Sequence, residues 1–333
     1  MRTFEKERQP FNHLIDDPKI LNMVVVPDVL AAKVAVSVGF DALFMAGYAA
    51  SADLLGQPDR WILDYGQVLD QLRRIVSAVD VPVFADADTG YGDIENVKRM
   101  VRKFEQAGAA GLFIEDQVWP KRCGHMAGKS VLPTEELVAK IEAAVEARQN
   151  DDFLIMSRTD ARQVYGLDEA ITRSKAYHEA GADMVFVEAP QSKDELCQVV
   201  AAFPDVPLMA NMIEDGDTPL CIIQELEEMG YALVVHPNAL TYAATYADRE
   251  LMTELYETGK TEQARQHMVQ FNDFNNFVNL PGLNQLEQNY SKESMAQMFE
   301  KWGKRRWILV HNKQQLIAWI MPREARPFIR CLL

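Results

Sequence analysis

The sequence is short of cysteine, of positive charge and of long apolar runs. Four cysteines (Cys123, Cys197, Cys221, Cys331) are spread over 333 residues, too few and too far apart for a disulfide framework. They fit reduced thiols in a cytoplasm-like compartment. Lys and Arg number 34 against 49 Asp and Glu, a formal net charge of −15. A nucleic-acid partner is therefore not expected, because neutralising phosphates requires clustered basic side chains. No window approaches 18 uninterrupted apolar residues, which argues against a membrane span or membrane partner. The opening Met1-Arg-Thr-Phe-Glu-Lys-Glu-Arg has neither the apolar core nor the small-residue cleavage site of a secretory signal, so a cytoplasmic location is expected. A Gly-rich dinucleotide fingerprint and a Walker loop are also missing, which weakens a nucleotide-binding fold. The positive charge that is present sits unevenly. Residues 301–333 hold eight Lys and Arg against one Glu, a net of +7, and leave −22 for the first 300 residues.

What the chain does have is alternation. Short apolar runs recur at Met23–Pro27, Ala42–Ala46, Val81–Ala85, Gly111–Glu115, Phe153–Ser157, Met184–Glu188, Pro207–Ala210 and Ala232–Val235. Helical patterns lie between them, among others over Leu30–Val38, Ile94–Gln106, Thr134–Ala147 and Leu167–Ala180. Nearly continuous apolar strands separated by helices mean a parallel sheet buried on both faces. Eight such units in about 240 residues predict a closed α/β (β/α)8 TIM barrel rather than an open doubly wound sheet.

A barrel of this kind carries its active site at the C-terminal ends of the strands. Those ends read Ala46-Gly47-Tyr48, Asp86-Ala-Asp88, Glu115-Asp116, Arg158-Thr-Asp160, Glu188, Asn211 and His236. Asp86, Asp88, Glu115 and Glu188 in one barrel mouth would repel one another unless a divalent cation neutralised them. Two apart on a strand, Asp86 and Asp88 are expected to point the same way. Hard oxygen ligands suit Mg2+, with Mn2+ as a substitute, and Mg2+ keeps several waters beside one or two carboxylates. Arg158 reads as a bidentate clamp for a substrate carboxylate. The competing explanation is that each acid caps the following helix.

The loop after the fourth strand, from Glu115-Asp-Gln through Lys121-Arg-Cys123-Gly124-His125 to Lys129, surrounds a cysteine with Lys121, Arg122 and His125. Positive neighbours are expected to lower the thiol pKa and make it a usable proton-transfer group. The length and the glycines suggest a lid. Cys197 and Cys221 lie among apolar neighbours and are expected in the core, whereas His13, His178 and His267 are expected at the surface.

Asp86-Ala-Asp-Thr-Gly-Tyr-Gly, Glu115-Asp-Gln, Lys121-Arg-Cys-Gly-His, Ser157-Arg-Thr-Asp and Val187-Glu-Ala-Pro resemble the isocitrate lyase and phosphoenolpyruvate mutase superfamily over roughly residues 10–290. The resemblance implies a barrel whose last helix is swapped between subunits of a homotetramer. It implies Mg2+ held mainly through Asp86, with Asp59, Asp88 and Glu115 acting largely through water. Substrate contacts are implied for Ala46, Gly47, Tyr48, Gly124, Arg158, Glu188 and Asn211, and catalytic roles for Cys123, Tyr48, Lys121 and His125. Members acting on phosphorus–carbon bonds resemble one another in a loop with Asn and no Cys; the Lys-Arg-Cys-Gly-His loop resembles the lyase branch.

That branch cleaves a 2-hydroxy dicarboxylate in retro-aldol fashion, with Cys123 as the acid. Lyases acting on isocitrate or 2-methylisocitrate grip a third carboxylate with an Arg just after strand eight. Here His236-Pro-Asn-Ala-Leu-Thr-Tyr242 has none, and Asn211-Met-Ile-Glu-Asp-Gly and Asn279-Leu-Pro-Gly-Leu-Asn284 are more similar to the malate-cleaving branch. A small dicarboxylate of the 2-alkylmalate or dimethylmalate type is thus the expected substrate. The alternatives are 2-methylisocitrate cleavage, oxaloacetate hydrolysis or decarboxylation, and a non-catalytic barrel scaffold. Three departures from the family pattern suggest a reshaped pocket: Ala46 for a usual Ser or Thr, Arg60-Trp61 for a small apolar-Gly pair, and His236 for a usual Tyr. The expected organisation is a catalytic barrel with C-terminal helices over 1–290 and an extension of unknown role over 291–333.

Overall fold

The computed structural model describes residues 10–126, 128–291 and 294. The chain divides after Tyr256 into two compact units. In the first, all eight apolar runs are strands: β1 (Leu21–Val25), β2 (Leu43–Met45), β3 (Val83–Asp86), β4 (Gly111–Glu115), β5 (Leu154–Thr159), β6 (Met184–Val187), β7 (Met209–Asn211) and β8 (Leu233–His236). They pair in parallel in the order β6-β5-β4-β3-β2-β1-β8-β7. A parallel bridge between Val185 and Leu208 joins the two ends, giving the expected (β/α)8 barrel.

The helices of this unit are α1 (Phe11–Ile15), α2 (Val29–Val38), α3 (Gly47–Leu55), α4 (Tyr65–Val76), α5 (Ile94–Ala107), α6 (Thr134–Ala147), α7 (Ala161–Tyr165), α8 (Leu167–Glu179), α9 (Lys193–Ala202), α10 (Ile223–Met229) and α11 (Ala239–Thr258), the last two residues of α11 belonging to the second unit. Several starts are capped by local side chains. Asp28 accepts from the Ala31 N–H, Asp64 and Gln67 form a capping box, and Asp93 and Ser192 cap α5 and α9. Such caps satisfy amides that a helix cannot pair internally. None of the four strand-end acids singled out above is among these caps.

Away from their C-terminal ends the strands are largely apolar because both faces are covered. Inside the barrel Met23, Val25, Phe44, Phe84, Phe113, Met156, Phe186 and Val235 fill the bore. Phe11 of α1 packs under it, 5.3 Å from Phe84, and the rings ascend through Phe44 and Phe113 to Phe186 at centroid spacings of 5.6, 6.0 and 6.1 Å. Outside it, Leu72, Met100, Phe104 and Ile141 form one helix-facing cluster, and Leu196, Val199 and Leu226 another. The bore therefore stays closed from below, and any ligand must enter from the strand C-termini.

The second unit contains α12 (Phe271–Phe277) and α13 (Leu280–Asn289) among its described residues. The basic segment 301–333, with Cys331, lies outside the described residues. Cys221 is buried as expected, just ahead of α10, but Cys197 is exposed. Its neighbours Leu196 and Val199 face inward on α9, and the helical turn carries Cys197 off their face. His13, His178 and His267 are exposed. No helix among the described residues is long and apolar enough to cross a membrane.

Candidate active site

The strand register sets the site. Glu115 on β4 lies opposite Arg158 on β5, and Arg158 lies opposite Phe186 on β6. The guanidinium carbon sits 5.4 Å from the Phe113 ring centre and 5.2 Å from that of Phe186, above the top of the aromatic column. A small cavity of about 50 Å3 opens there. Of the expected substrate contacts, Ala46, Tyr48, Gly124, Arg158, Glu188 and Asn211 line it, as do Asp59, Asp86, Lys121 and Cys123. Gly47, Asp88, Glu115 and His125 stand outside its lining but bond to residues that form it.

Asp86 is oriented by two backbone donors. The Gly47 N–H at the start of α3 reaches Oδ2 at 3.0 Å, and the Asp88 N–H reaches Oδ1 at 2.8 Å. A Cβ on Gly47 would stand 3.2 Å from Asp86 Oδ2, so the close approach of α3 to this carboxylate uses a glycine. Asp88 does not reach the site by strand alternation. β3 ends at Asp86, and Asp88 adopts a left-handed φ of 49°, so the turn, not the pleat, delivers its carboxylate. Lys121 Nζ then lies 2.7 Å from Asp59 Oδ2 and 2.6 Å from Asp88 Oδ1, fully enclosed. Burial would lower the Lys121 pKa, but Asp59, Asp88, Asp86 and Glu115 hold it well above the ordinary value.

Arg158 is less free than a simple clamp. Its Nε donates to Asp160 Oδ2 at 3.0 Å and lies 3.2 Å from Glu115 Oε2, while Nη2 reaches Glu188 Oε2 at 2.9 Å and Asp160 Oδ1 at 3.2 Å. The fork is thus fixed on three protein carboxylates. Burial would raise the Glu188 pKa, yet Arg158 and then His125 hold it far below the usual carboxylate range. His125 bridges two loops. Its Nδ1 accepts the Asp217 N–H at 2.9 Å, so Nε2 carries the proton and donates to Glu188 Oε1 at 3.1 Å.

The expected lowering of the Cys123 pKa is not what the structure gives. Burial pushes the thiol up to about 11, the His125 backbone N–H and Arg158 oppose the rise, and Asp59 and Glu188 add to it. The surrounding basic residues of the sequence do not act together. Lys121 turns to Asp59 and Asp88, and desolvation of a thiolate outweighs what is left. Tyr48 is likewise pushed up, chiefly by burial and then by its bond to Tyr242, whose hydroxyl is 3.3 Å away and accepts from Asn238 Nδ2 at 3.1 Å. After β8 the cavity wall is Pro237 and Asn238; neither His236 nor Tyr242 lines it. Trp61, at a left-handed φ of 60°, packs against Tyr91 and Trp119 at 5.8 and 5.7 Å.

Two acids read at the strand ends, Asp116 and Asp160, and Lys129 of the loop were given no role from the sequence. Asp160 holds Arg158 and Lys129; Asp116 holds Asp160, accepting its N–H at 2.9 Å together with the hydroxyls of Thr159 and Tyr177 at 2.6 and 3.1 Å. Both acids stand inside quoted motifs, Glu115-Asp-Gln and Ser157-Arg-Thr-Asp, which was the available signal. Lys129 closes the same loop as Cys123.

The donor set suits a hard divalent cation. The buried carboxylates Asp59, Asp86, Asp88, Glu115, Asp160 and Glu188 outnumber the cationic groups bonded to them, Lys121, Lys129 and Arg158. Glu115 Oε1 is buried with no hydrogen-bond partner. Burial drives Glu115 well above its usual pKa despite Arg158 and Lys121, and Asp88 to about 7 against the pull of Lys121. Both shifts come chiefly from burial of the carboxylates, with Asp86 adding to each. Among the described residues no three His, Cys, Asp or Glu side chains are grouped to hold a metal directly.

Comparison with known proteins follows the same line. The family model for phosphoenolpyruvate phosphomutase matches residues 11–256. A 2,3-dimethylmalate lyase from Eubacterium barkeri is 46% identical over 272 residues, covering 81% of this chain and 94% of that protein. A crystal structure of 2,3-dimethylmalate lyase, described as a PEP mutase/isocitrate lyase superfamily member, superposes with a TM-score of 0.79 at 34% identity, over 84% of this chain and 93% of that one. An oxaloacetate acetylhydrolase bound to the inhibitor 3,3-difluorooxalacetate gives a TM-score of 0.80 at 32% identity, over 84% and 95%. With barrel, motifs and relatives in agreement, the chain belongs to the phosphoenolpyruvate mutase/isocitrate lyase superfamily.

Proposed function

We propose that the protein is a Mg2+-dependent carbon–carbon lyase that cleaves a 2-hydroxy dicarboxylate of the 2-alkylmalate type, such as 2,3-dimethylmalate, to a 2-oxo acid and a carboxylate. The observation that carries this reading is the place of Cys123 in the wall of a cavity that also holds Asp86, Arg158 and Asn211, where burial favours the protonated thiol. An acid that stays loaded at neutral pH is what protonation of a carbanion requires.

In the reaction the 2-hydroxyl gives its proton to solvent at the cavity mouth, from which the thiolate is later reprotonated, and its O–H pair forms the C2=O bond. The C2–C3 pair passes to C3, spread into the adjacent carboxylate, and C3 takes the proton of Cys123. Asp86 would hold Mg2+, with Asp59, Asp88 and Glu115 bonding its waters; when bound, the ion stabilises negative charge developing on substrate oxygens. Arg158, fixed by Asp160 and Glu188, presents positive charge to a substrate carboxylate. Lys121 keeps Asp59 and Asp88 in place. The Tyr48 phenol, held protonated, suits donation to a substrate oxygen better than removal of the hydroxyl proton. His125, with both ring nitrogens engaged, positions the loop that carries Cys123.

The neutral wall after β8, Pro237 and Asn238 with no Arg, favours a dicarboxylate over 2-methylisocitrate. Hydrolysis of oxaloacetate is the second reading, favoured by the fit to oxaloacetate acetylhydrolase. α11 buries none of its side chains and exposes Tyr246, Met252 and Tyr256, which supports helix exchange in a homotetramer. The barrel of residues 1–290 is the proposed catalytic domain. The deciding assay measures 2-oxo acid release from 2,3-dimethylmalate, 2-methylisocitrate and oxaloacetate, with wild type and Cys123→Ala. Dimethylmalate should be the best substrate, and the variant should lose at least about 100-fold in kcat. Oxalate and acetate as the main products from oxaloacetate would favour the hydrolase, and a fully active Cys123→Ala would remove the acid role. No turnover on any of the three would leave a scaffold or ligand-binding barrel.

A further inference from the structure

One buried cation takes no part in the chemistry above. Lys129 ends the loop that follows β4, and its side chain is completely enclosed, as is that of its partner Asp160. Its Nζ donates to Asp160 Oδ1 at 2.6 Å and to the carbonyl oxygen of Gly124. An ammonium group this deep is tolerated only where hydrogen-bonding acceptors and an opposite charge surround it. Here the two acceptors have different owners. Asp160 follows β5 and belongs to the barrel; Gly124 belongs to the loop and directly follows Cys123 in the chain.

The barrel side of this contact is rigid. Asp116 accepts the Asp160 N–H, and Arg158 grips the Asp160 carboxylate from Nε and Nη2. The loop side is close-fitting, because a Cβ on Gly124 would come within 2.4 Å of Glu188 Oε2 and 2.5 Å of Arg158 Nη2. With the loop lifted, Lys129 would lose the carbonyl and Asp160 would be left open on that side. Lys129 thus bonds the barrel acid and the loop carbonyl together only in the closed arrangement.

We infer that Lys129 is a positioning residue that holds the loop closed through Asp160 and the Gly124 carbonyl, and so sets Cys123 against the cavity. It touches no reacting atom. The kinetic consequence rests on Cys123 being the acid; the effect on Cys123 accessibility does not.

The test is residue-resolved alkylation of the full chain with iodoacetamide, read by mass spectrometry, in wild type, Lys129→Met and Lys129→Gln. Two cysteines are internal references, exposed Cys197 and buried Cys221. In Lys129→Met, Cys123 should label at least tenfold faster, with Cys197 and Cys221 unchanged. Gln, a neutral donor, should fall between Met and wild type. On the best malate found, kcat should drop at least tenfold in Lys129→Met while KM stays within about threefold. Labelling of Cys123 at the wild-type rate would overturn the proposal, whatever happens to activity. So would parallel acceleration at Cys123 and Cys221, which would report general loosening of the barrel. If no substrate is turned over, the lyase reading fails while the labelling result still decides the role of Lys129.

Discussion

Gly124→Ala isolates the fit of the loop on the ion pair beneath it. Gly124 is not in the left-handed region, so alanine meets no backbone penalty. The whole perturbation is one methyl group. Built in place, it would stand 2.4 Å from Glu188 Oε2 and 2.5 Å from Arg158 Nη2, where ordinary contact begins at 3.4 Å. Something must move by about 1 Å. The ion pair is the worse candidate. Glu188 is held by Arg158, His125, Asn211 and the Ala189 N–H, and Arg158 by Asp160 and Glu115 between two phenylalanine rings. The loop is bound to its surroundings through the side chains of Lys121, His125 and Lys129 rather than at Gly124 itself, so its backbone there should rise and carry Cys123 with it. A displacement of about 1 Å at a reacting group costs on the order of 100-fold, or about 2.7 kcal/mol at the barrier. The assay is kcat on the best malate beside a thermal melt. A fall of about 100-fold with Tm changed by less than about 3 °C is expected, since a loop adjustment exposes little core. Turnover within twofold of wild type would refute the fit of the loop on Arg158 and Glu188.

Two further outcomes follow from the electrostatics. Because burial pushes the Cys123 thiol up to about 11 from an ordinary 9.0, the folded protein holds this proton more tightly than the unfolded chain. The associated stability is complete below about pH 9 and lost as pH rises through 11. The alkaline limb of kcat should accordingly appear near 11, and a limb at 8 to 9 would contradict the raised thiol pKa. Dialysis against EDTA should abolish turnover and lower Tm, with both restored by Mg2+ or Mn2+; full activity in excess chelator would exclude the role assigned to Asp86, Asp88 and Glu115.

Much of the fold was legible because a barrel strand is covered on both faces. Apolar runs such as Gly111–Glu115 have no polar face to show, and all eight stood out. Helices with a solvent side were read almost to the residue, Thr134–Ala147 included. Cys197 was misplaced for a matching reason: apolar neighbours in sequence are not neighbours on a helix face, and one step from Leu196 turns the side chain outward. Trp61 was visible as a departure, but its left-handed backbone and its packing on Tyr91 and Trp119 belong to three separated segments.

The sequence by itself determined the barrel, the strand ends that would meet, and the acids, arginine and cysteine gathered there, because periodicity and motif are local properties. Tertiary structure alone decided how those groups are charged and held. Asp88 enters through a left-handed turn, Lys121 leaves the cysteine for Asp59 and Asp88, and burial raises a thiol that its neighbours in the chain seemed set to lower. Desolvation and partner choice depend on what surrounds a group in space, and the Asp116–Asp160–Lys129 chain that closes the loop joins residues that follow two different strands, β4 and β5.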